Sequence, residues 1–410
     1  MEQTTQYQNN HYVPVWYQKR FLPPGQKDQE LYYLDLNPGS WTDPRGIVHP
    51  VRPVGRLGFK FCFCEDDLYT RWFGEEKSTA IEERFFGRID HRGRPAVEYF
   101  TGFTHPSVDG QAFGNMMTYM STQKLRTPKG LEWLAQKIEM SDHDLVLSYM
   151  IRLRNLHCAL WTECIWQIAD ASQSPTKFIV SDHPVTVYNR ECGPRNKRWC
   201  RGANDPDIAL NGTHTIFPLT LDKVLILTNL SWVRDPYQSA VSYRPNPNPF
   251  RDAIFSFMDI QTMRYLTEQE VREINFIIKS RAYKHIAAAK EEWLYPEEYV
   301  SKSQWNVFGD GYLMMPDPRP VNWGGEIIIG HHDGSASAFD EYGRRPWEQD
   351  YNRDDPRKMK YDPLNRFKGE FAQRFGPKRR GRSFNFARLD PEIDSDDFHQ
   401  YHLRLTKKKR

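Results

Sequence analysis

Residues 161–229 constrain the fold more than any other part of the chain. They contain short runs in which apolar and polar side chains alternate, as in residues 161–169, and polar turn residues separate these runs. Alternation with a period of two is typical of a half-buried strand, and successive strands joined by short turns favour an antiparallel sheet. We therefore predict a central, mainly antiparallel sheet, in which residues 161–169 and 177–181 form a hairpin.

Helices are predicted on both sides of this segment. Residues 127–138 form one of them, with Pro128 in the first turn, where proline is favoured. Thr267 and Glu270 have the spacing of a capping box, in which each side chain bonds to the backbone N–H of the other residue. They predict a helix over residues 267–293. Helices packed around an antiparallel sheet indicate the α+β class.

The chain changes character after about residue 315. Proline, glycine, tryptophan and charged residues become frequent there, and the apolar periodicity fades. Residues 341–410 contain 19 lysines and arginines against 12 acidic residues, a net charge of +7, whereas the whole chain carries +3. We predict an α+β core domain over residues 1–315 and an irregular, polar, basic and partly ordered C-terminal extension over residues 316–410.

The hydropathy of the chain predicts a cytoplasmic protein that does not contact a membrane. The sequence contains no run of the roughly 18 apolar residues that a membrane-spanning helix needs. Residues 1–10 are polar and lack the apolar centre of a secretory signal. Both observations lead us to expect a soluble, cytoplasmic protein.

Five short segments, taken in order along the chain, are similar to one known family. They are His11-Tyr12-Val13-Pro14, Arg126-Thr127-Pro128, Val180-Ser181-Asp182-His183-Pro184-Val185, Phe217-Pro218-Leu219-Thr220 and Val271-Arg272-Glu273-Ile274-Asn275. In order and spacing they resemble an uncharacterised bacterial and fungal family, a domain of unknown function with an N-terminal His-Tyr-Val-Pro motif and a later Ser-Asp-x-Pro motif. The likeness extends over residues 10–289. The resemblance implies no known activity, so the function has to be inferred from the side chains.

Three residues are candidates for acid–base or metal-binding chemistry. Asp182 ends a predicted strand at a turn fixed by Pro184, and a carboxylate held there can transfer a proton or bind a metal ion. His11 titrates near neutral pH and precedes a predicted helix that can aim it into a cleft. Glu82 is a further candidate ligand. The structural alternatives are that Asp182 accepts backbone N–H groups in a turn, that His11 caps a helix, and that Glu82 is a surface charge.

Four polar residues are candidates for substrate binding. Arg126 can hold a phosphate or a carboxylate through two parallel hydrogen bonds. Gln123 lies close to it in the sequence, Asn275 lies beside the apolar face of a predicted helix, and His183 stands in the turn described above. We expect Gln123, Arg126 and Asn275 to share one pocket with Glu82, because they belong to or adjoin the resembling segments. The structural alternatives are that Asn275 ties its helix to the sheet and that His183 is part of an ordinary turn.

Several familiar catalytic motifs are missing from the sequence. The chain has no G-x-x-x-x-G-K-[ST] phosphate loop, no G-x-S-x-G elbow, no His-Glu-x-x-His and no Rossmann glycine fingerprint. Their absence argues against ordinary nucleotide hydrolases, serine hydrolases of that fold, zinc proteases and dinucleotide oxidoreductases.

Two functions are compatible with the candidate residues. The first is phosphodiester hydrolysis by a nuclease-like enzyme in a defence or toxin role. His11, Asp182 and Glu82 would supply the chemistry, and a divalent metal ion is a cofactor that such groups can hold. The basic clusters at residues 378–382 and 407–410 would add contacts to nucleic acid. The second is a non-catalytic binding or assembly protein, whose motif residues anchor the fold and whose C-terminal extension docks a protein partner.

Overall fold

The computed structural model of the chain describes residues 9–73, 76–104, 109–200, 202–250, 260–321, 326–352, 362–378, 380–384 and 395–407. The α-helices of these residues are α1 (Val15–Gln18), α2 (Gly87–Thr101), α3 (Gly110–Arg126), α4 (Pro128–Lys137), α5 (His143–Arg152), α6 (Cys158–Thr162), α7 (Leu230–Arg234), α8 (Glu268–Arg281), α9 (Pro363–Phe375) and α10 (Asp396–Lys407). A π-helical turn, Ile81–Phe86, leads directly into α2, and 3₁₀ turns cover Lys19–Phe21, Glu291–Leu294, Pro296–Glu298 and Lys302–Gly311. None of the helices in this part of the chain combines the length and the apolar character needed to cross a membrane.

The strands of the described residues form two main sheets and several pairs. They are β1 (Asn9–His11), β2 (Glu30–Asp35), β3 (Ser40–Thr42), β4 (Val48–Pro50), β5 (Val54–Gly58), β6 (Cys64–Asp66), β7 (Arg71–Phe73), β8 (Glu76–Ser78), β9 (Cys164–Asp170), β10 (Val180–Ser181), β11 (Thr186–Asn189), β12 (Thr213–Pro218), β13 (Lys223–Asn229), β14 (Ile260–Tyr265), β15 (His285–Ala288), β16 (Glu326–Gly330), β17 (Ala336–Asp340) and β18 (Arg382–Phe384). The central sheet has the order β11-β12-β13-β9-β14-β18, and its neighbours are antiparallel except for β9 and β14, which run parallel. A second, antiparallel sheet has the order β10-β15-β2-β5.

Helices α2 and α3 pack on the central sheet through aromatic side chains. The rings of Phe100 in α2 and Phe113 in α3 lie 5.2 Å and 4.9 Å from the ring of Trp166 in β9. All three side chains are buried in one large apolar core. Helices packed on mainly antiparallel sheets confirm the predicted α+β class.

The predicted hairpin between residues 161–169 and 177–181 is wrong. Strand β9 pairs over all seven of its residues with β13. Strand β10 instead pairs with β15 in the second sheet. Residues 164–169 are all buried, so β9 needs partners along both of its edges. The longer strands β13 and β14 provide those partners, whereas the two residues of β10 cannot.

The helix predicted over residues 267–293 is shorter in the structure. Its capping box is confirmed, because the Glu270 N–H donates to the Thr267 hydroxyl and the Thr267 N–H donates to the Glu270 carboxylate. Helix α8 nevertheless ends at Arg281, where the next residue has an extended backbone. The carboxylate of Asp182 accepts hydrogen bonds from the following three N–H groups, and the chain enters β15. A tertiary contact therefore overrides the helical spacing of the apolar residues.

The junction between α3 and α4 brings two lysines together. Thr127 caps α4, with its hydroxyl accepting from the Gly130 N–H at 3.1 Å, and Pro128 occupies the first turn as predicted. A Cβ atom at Gly130 would lie 2.2 Å from the carbonyl oxygen of Lys124. Glycine therefore permits a turn this tight, and the turn brings Lys129 close to Lys124.

Part of the C-terminal extension packs on the rest of the chain. Leu364, Phe367 and Phe371 of α9 are buried together with Trp232 of α7 in a second apolar core. Strand β18 forms one edge of the central sheet by pairing with β14. The division of the chain into residues 1–315 and 316–410 stays a prediction.

Candidate functional site

His11 lies at the end of β1, and its side chain is half-buried. Its Nε2 atom is 3.1 Å from the carbonyl oxygen of Phe59, which follows β5. Burial lowers the pKa of His11, and this contact with Phe59 partly offsets the effect. The contact ties the N-terminal segment to a neighbouring loop.

Asp182 is buried, and its carboxylate binds backbone N–H groups. Its Oδ1 atom accepts from the Tyr283 N–H at 2.8 Å, and its Oδ2 atom accepts from the N–H groups of Lys284 and His285 at 2.5 Å and 2.8 Å. Burial raises the pKa of Asp182, although the three N–H groups counteract this rise. These bonds join β10 to the segment between α8 and β15. The geometry corresponds to the structural alternative for Asp182, in which the carboxylate satisfies backbone donors.

Asn275 is fully buried on α8 and connects that helix to the chain that leads into β10. Its Oδ1 atom accepts from the Ile179 N–H at 3.3 Å, and its Nδ2 atom donates to the Lys177 carbonyl oxygen at 2.8 Å. The amide therefore satisfies a donor and an acceptor of an irregular backbone segment.

Gln123, Arg126 and Glu82 come together in a buried polar cluster. The Nε atom of Arg126 donates to the Gln123 side-chain oxygen at 2.8 Å, and its guanidinium pairs with the Asp90 carboxylate at 3.0 Å. The Gln123 amide donates to the Tyr12 carbonyl oxygen at 2.7 Å, which connects the cluster to the His-Tyr-Val-Pro segment. Burial raises the pKa of Glu82 to about 7, although Arg126 counteracts it. Because the donors of Arg126 are bonded within the protein, the cluster supports an anchoring role.

The three predicted catalytic residues thus have different partners. His11 contacts a loop carbonyl, Asp182 binds three backbone N–H groups, and Glu82 lies in the cluster around Arg126. Within the part of the chain that the structure describes, no group of three or more histidine, cysteine, aspartate or glutamate side chains is arranged to hold a metal ion.

His183 belongs to another group of side chains, at the junction of α3 and α4. Burial and the neighbouring Lys124 hold the pKa of His183 well below its usual value, so the imidazole is neutral. A charged lysine can only donate a hydrogen bond. The Nε2 atom of His183 therefore accepts from Lys124 Nζ at 3.2 Å, and the Nδ1–H group donates to the Thr127 hydroxyl oxygen at 2.7 Å.

Two lysines converge on one carboxylate beside this histidine. The Nζ atom of Lys129 donates to Asp205 Oδ1 and to the Arg281 carbonyl oxygen, in both cases at 2.7 Å. The Nζ atom of Lys124 lies 3.7 Å from Asp205 Oδ2. The side chains of Lys124, Lys129 and Asp205 are 12%, 7% and 9% exposed, so all three are shielded from water. Together with His183 they are called the lysine cluster below.

The lysine cluster lines a cavity of about 310 Å³. The wall of the cavity also contains the aromatic side chains of Trp133, Trp199 and Tyr243. The Arg198 guanidinium, another part of the wall, lies 4.9 Å from the centroid of the Trp199 ring. The lysine cluster is largely buried, Trp133 and Trp199 are half-buried, and Arg198 and Tyr243 are exposed, so the lining extends from buried lysines to solvent-exposed side chains.

Positive charge exceeds negative charge along this cavity. The charged residues among its described lining are Lys124, Lys129, Lys137, Arg198, Asp205 and Asp207. Burial lowers the pKa of Lys124 to about 8, with further lowering by Lys129 and Arg281, while Asp205 raises it. Burial alone would raise the pKa of Asp205, but the surrounding cations hold that pKa well below its usual value. Asp205 therefore stays ionised, and its single charge does not balance both lysines.

Sequence analysis missed Lys124, Lys129 and Asp205. The two lysines flank the Arg126-Thr127-Pro128 segment, but they lie on two different helices, and the periodicity of each helix says nothing about its neighbour. Asp205 lies in an Asn-Asp-Pro-Asp sequence, a composition that indicates a loop and no particular partner. It is 76 residues from Lys129 in the chain, so the tertiary fold creates this contact.

Lys124 is expected to make the stability of the protein rise with pH between about 8 and 10.5, its folded and ordinary pKa values. Below this window the ammonium is charged in both the folded and the unfolded chain, and the burial penalty is fully present. Within it the unfolded chain still holds the proton that the folded chain has released, so the free energy of unfolding increases with pH. We expect a gain of about 1–3 kcal/mol. Chemical denaturation of the wild type and Lys124→Met from neutral pH to pH 10 measures it, and parallel profiles for the two proteins would contradict the assignment.

The fold and the cavity define an α+β protein with a cavity whose wall contains lysine, arginine and aromatic side chains. Residues 142–292 match the model of a family described as Protein of unknown function (DUF4238). The matched range contains Asp182, His183, Asp205 and Asn275, and it begins after Lys124. No curated protein matches the chain, and no solved structure matches it either.

The resemblance inferred from five short segments is confirmed over this range as a likeness to an uncharacterised family. The His-Tyr-Val-Pro segment at residues 11–14 precedes the matched range. The role of that motif and the bacterial and fungal distribution of the family therefore stay predictions.

Proposed function

We propose that this protein binds a small phosphate-bearing ligand in the cavity lined by the lysine cluster. The observation that carries the proposal is that two buried ammonium groups share the carboxylate of Asp205. A buried charge without a partner is unfavourable by several kcal/mol. An anion in the cavity would supply the missing negative charge, and lysine is a common phosphate-binding residue.

The aromatic part of the cavity wall favours a ligand that also carries a flat ring. Trp133, Trp199 and Tyr243 provide the aromatic side chains, and Arg198 adds a planar cation. Aromatic side chains stack on nucleobases with about 1–3 kcal/mol per base. A phosphate directed to the lysines and a base directed to the aromatic residues describe a nucleotide, and a cavity of about 310 Å³ is at the small end of ligand pockets.

Phosphodiester hydrolysis is a second proposal. Here the acid–base role is assigned to Lys124 instead of His11 and Asp182. The observation that favours it is the position of Lys124 in the cavity wall, where its Nζ atom lies 3.2 Å from His183 Nε2. Burial there lowers the pKa of Lys124 to about 8, so this side chain can exchange a proton near neutral pH. In such a step water forms the new P–O bond, and the Lys124 ammonium gives its proton to the leaving oxygen. The resulting amine takes the proton that the attacking water releases. The nuclease-like role in defence or as a toxin rests on this step.

The non-catalytic alternative gains support for the motif residues themselves. Asp182, Asn275 and Arg126 bond to backbone or side-chain groups inside the protein, as expected of residues that anchor a fold. A binding protein with such anchors and a nucleotide in its cavity would satisfy both observations. A protein partner for the C-terminal extension stays a prediction.

Arg380 does not support the proposed contact between the basic C-terminal extension and nucleic acid, because its side chain is bonded within the protein. Its guanidinium donates to the Tyr312 carbonyl oxygen at 2.8 Å and pairs with Glu270. Residues 379 and 408–410 lie outside the described part of the chain. A tail contact would rest on the other basic residues of these two clusters.

Binding is tested with inorganic phosphate, AMP and adenosine as probes, using thermal shift and calorimetry on the full chain. AMP is expected to stabilise the wild type most. Phosphate and adenosine should stabilise it less, because phosphate lacks the base and adenosine lacks the phosphate. Lys124→Met should weaken the binding of AMP by at least about tenfold, or about 1.4 kcal/mol. Lys60 is an exposed lysine outside the cavity, and Lys60→Met should leave the affinity for AMP unchanged. Failure of AMP and phosphate at millimolar concentration, or equal affinity in both variants, would overturn the proposal.

Hydrolysis is tested with RNA, single-stranded DNA and plasmid, each with Mg²⁺ or Mn²⁺ and again with a chelator. The wild type and Lys60→Met are expected to cleave the nucleic acids. Lys124→Met is expected to be inactive although its melting temperature stays near that of the wild type. Cleavage by Lys124→Met at the wild-type rate, or no cleavage of any of the three, would reject the hydrolase and leave the binding function.

A further inference from the structure

A second set of cationic side chains lies on α2 and on the π-helical turn before it. Arg84, Arg88 and Arg92 follow one another at four-residue steps, a spacing that places residues on one face of a helix. All three are exposed, and they line one shared depression, which Glu83 and His91 border. The sequence thus builds a row of guanidinium groups along the helix.

This row is one side of a groove of about 810 Å³. Arg71 of β7 and Arg154, which follows α5, line the same groove. Its lining also includes the apolar side chains of Ile81, Phe85 and Ile89. The five arginines at positions 71, 84, 88, 92 and 154 and the apolar residues between them are called the arginine groove.

Acidic side chains leave most of this charge unbalanced. The described residues that line the groove include no aspartate or glutamate. Asp144 approaches Arg71 at 4.0 Å. Three acidic residues lie in the helical stretch that carries the row. Glu82 and Asp90 interact with Arg126 in the interior, whereas Glu83 is exposed beside the row and accepts from the Thr79 hydroxyl at 2.8 Å. An exposed concave surface with such an excess of positive charge attracts polyanions.

We propose that the arginine groove binds the phosphate backbone of single-stranded nucleic acid. Guanidinium groups bond to phosphates through two parallel hydrogen bonds. Four helical residues rise about 6 Å, more than the roughly 3.4 Å between phosphates of one strand in duplex DNA, so successive arginines can each contact a different phosphate. The apolar lining, with Phe85 in it, gives unpaired bases a surface on which to stack.

The arginine groove and the lysine cavity are separate sites. They have no lining residue in common, although α3 contributes to both, with Asn115 and Thr118 in the groove and Lys124 in the cavity. The inference therefore goes beyond the proposed function, because the groove can hold a strand whether or not the cavity holds a nucleotide. A failure of either site leaves the other untouched.

The test compares two triple variants that remove the same charge. The groove variant carries Arg84→Gln, Arg88→Gln and Arg92→Gln, and the control variant carries Lys19→Gln, Lys60→Gln and Arg94→Gln at exposed positions outside the groove. Fluorescence anisotropy measures the affinity for labelled single-stranded RNA, single-stranded DNA and duplex DNA at low and moderate salt. Melting temperatures establish that both variants are folded.

The wild type and the control are expected to bind single strands, and the groove variant is expected to bind them at least about tenfold more weakly. Its salt dependence should be shallower by roughly 0.7 for each lost phosphate contact, or about 2 in all. Equal weakening in both variants would reduce the effect to net charge and overturn the assignment. Absence of wild-type binding at low salt, tighter binding of duplex than of single strands, or equally strong competition by polyglutamate would each overturn it as well.

Discussion

Replacing Asp205 with asparagine is expected to lower the free energy of unfolding by about 3–5 kcal/mol, the usual effect of removing one partner from a buried ion pair. The substitution keeps the volume of the side chain and removes its charge. Lys129 then loses a charged acceptor at 2.7 Å, and Lys124 loses the carboxylate at 3.7 Å. Denaturant unfolding of the two proteins at neutral pH measures the difference.

The expected loss can be traced to the lysines through a second substitution. Lys124→Met alone should leave the stability near that of the wild type or raise it, because it removes a buried cation that Lys129 and Arg281 repel. Combined with Asp205→Asn, it should recover part of the lost free energy, a coupling that a double-mutant cycle isolates. Phosphate should stabilise Asp205→Asn more than the wild type if an anion can replace the carboxylate. An Asp205→Asn protein within about 1 kcal/mol of the wild type would contradict the ion-pair account.

Asp182→Asn is expected to destabilise the protein by about 2–4 kcal/mol, because a buried donor that loses its acceptor retains its desolvation penalty. The carboxylate accepts three backbone N–H groups. An amide has one acceptor oxygen, and its NH₂ group would face donors on the other side. Since these bonds end α8 and position β15, the segment between them should loosen first, and hydrogen exchange of the amides at residues 283–285 should accelerate.

Asp333→Asn is the matched control for this variant. Asp333 is exposed and accepts the N–H and hydroxyl groups of Ser335 in a surface turn, so its substitution should change stability by no more than about 0.5 kcal/mol. An Asp182→Asn protein that keeps its melting temperature and loses activity would restore Asp182 as a functional group. Loss of stability together with activity would identify it as an anchor of the fold.

Local signals in the sequence were sufficient for several elements. The capping box of Thr267 and Glu270 and the start of α4 at Pro128 were predicted because residues within one helical turn determine them. The α+β class followed from alternating runs beside helical ones. The pairing of β9 was mispredicted because many strands of similar polarity compete for the same neighbour, and burial on both edges decides among them.

The candidate residues divide in the same way. Arg126 and Gln123 were predicted to share a pocket, and their side chains are hydrogen-bonded to each other. They are three residues apart on one helix, and this spacing places them on the same face. Their partner Asp90 and the contact with Tyr12 come from elements distant in the sequence. His183 was selected as a candidate, but its lysine neighbours were not, because Lys124 belongs to another element.

By itself, the sequence determined the fold class, the capping box of α8, the start of α4 at Pro128 and the likeness to an uncharacterised family. Each of these follows from side-chain chemistry within a few residues or from apolar periodicity, which local interactions enforce. The tertiary structure alone decided that Lys124, Lys129 and Asp205 meet in one cavity, and that arginines of β7, of the π-helical turn and α2, and of the segment after α5 line one groove. The sequence does not show which charged residues of different elements will be partners. Burial of the apolar core brings their helices and loops together and so determines the pairs.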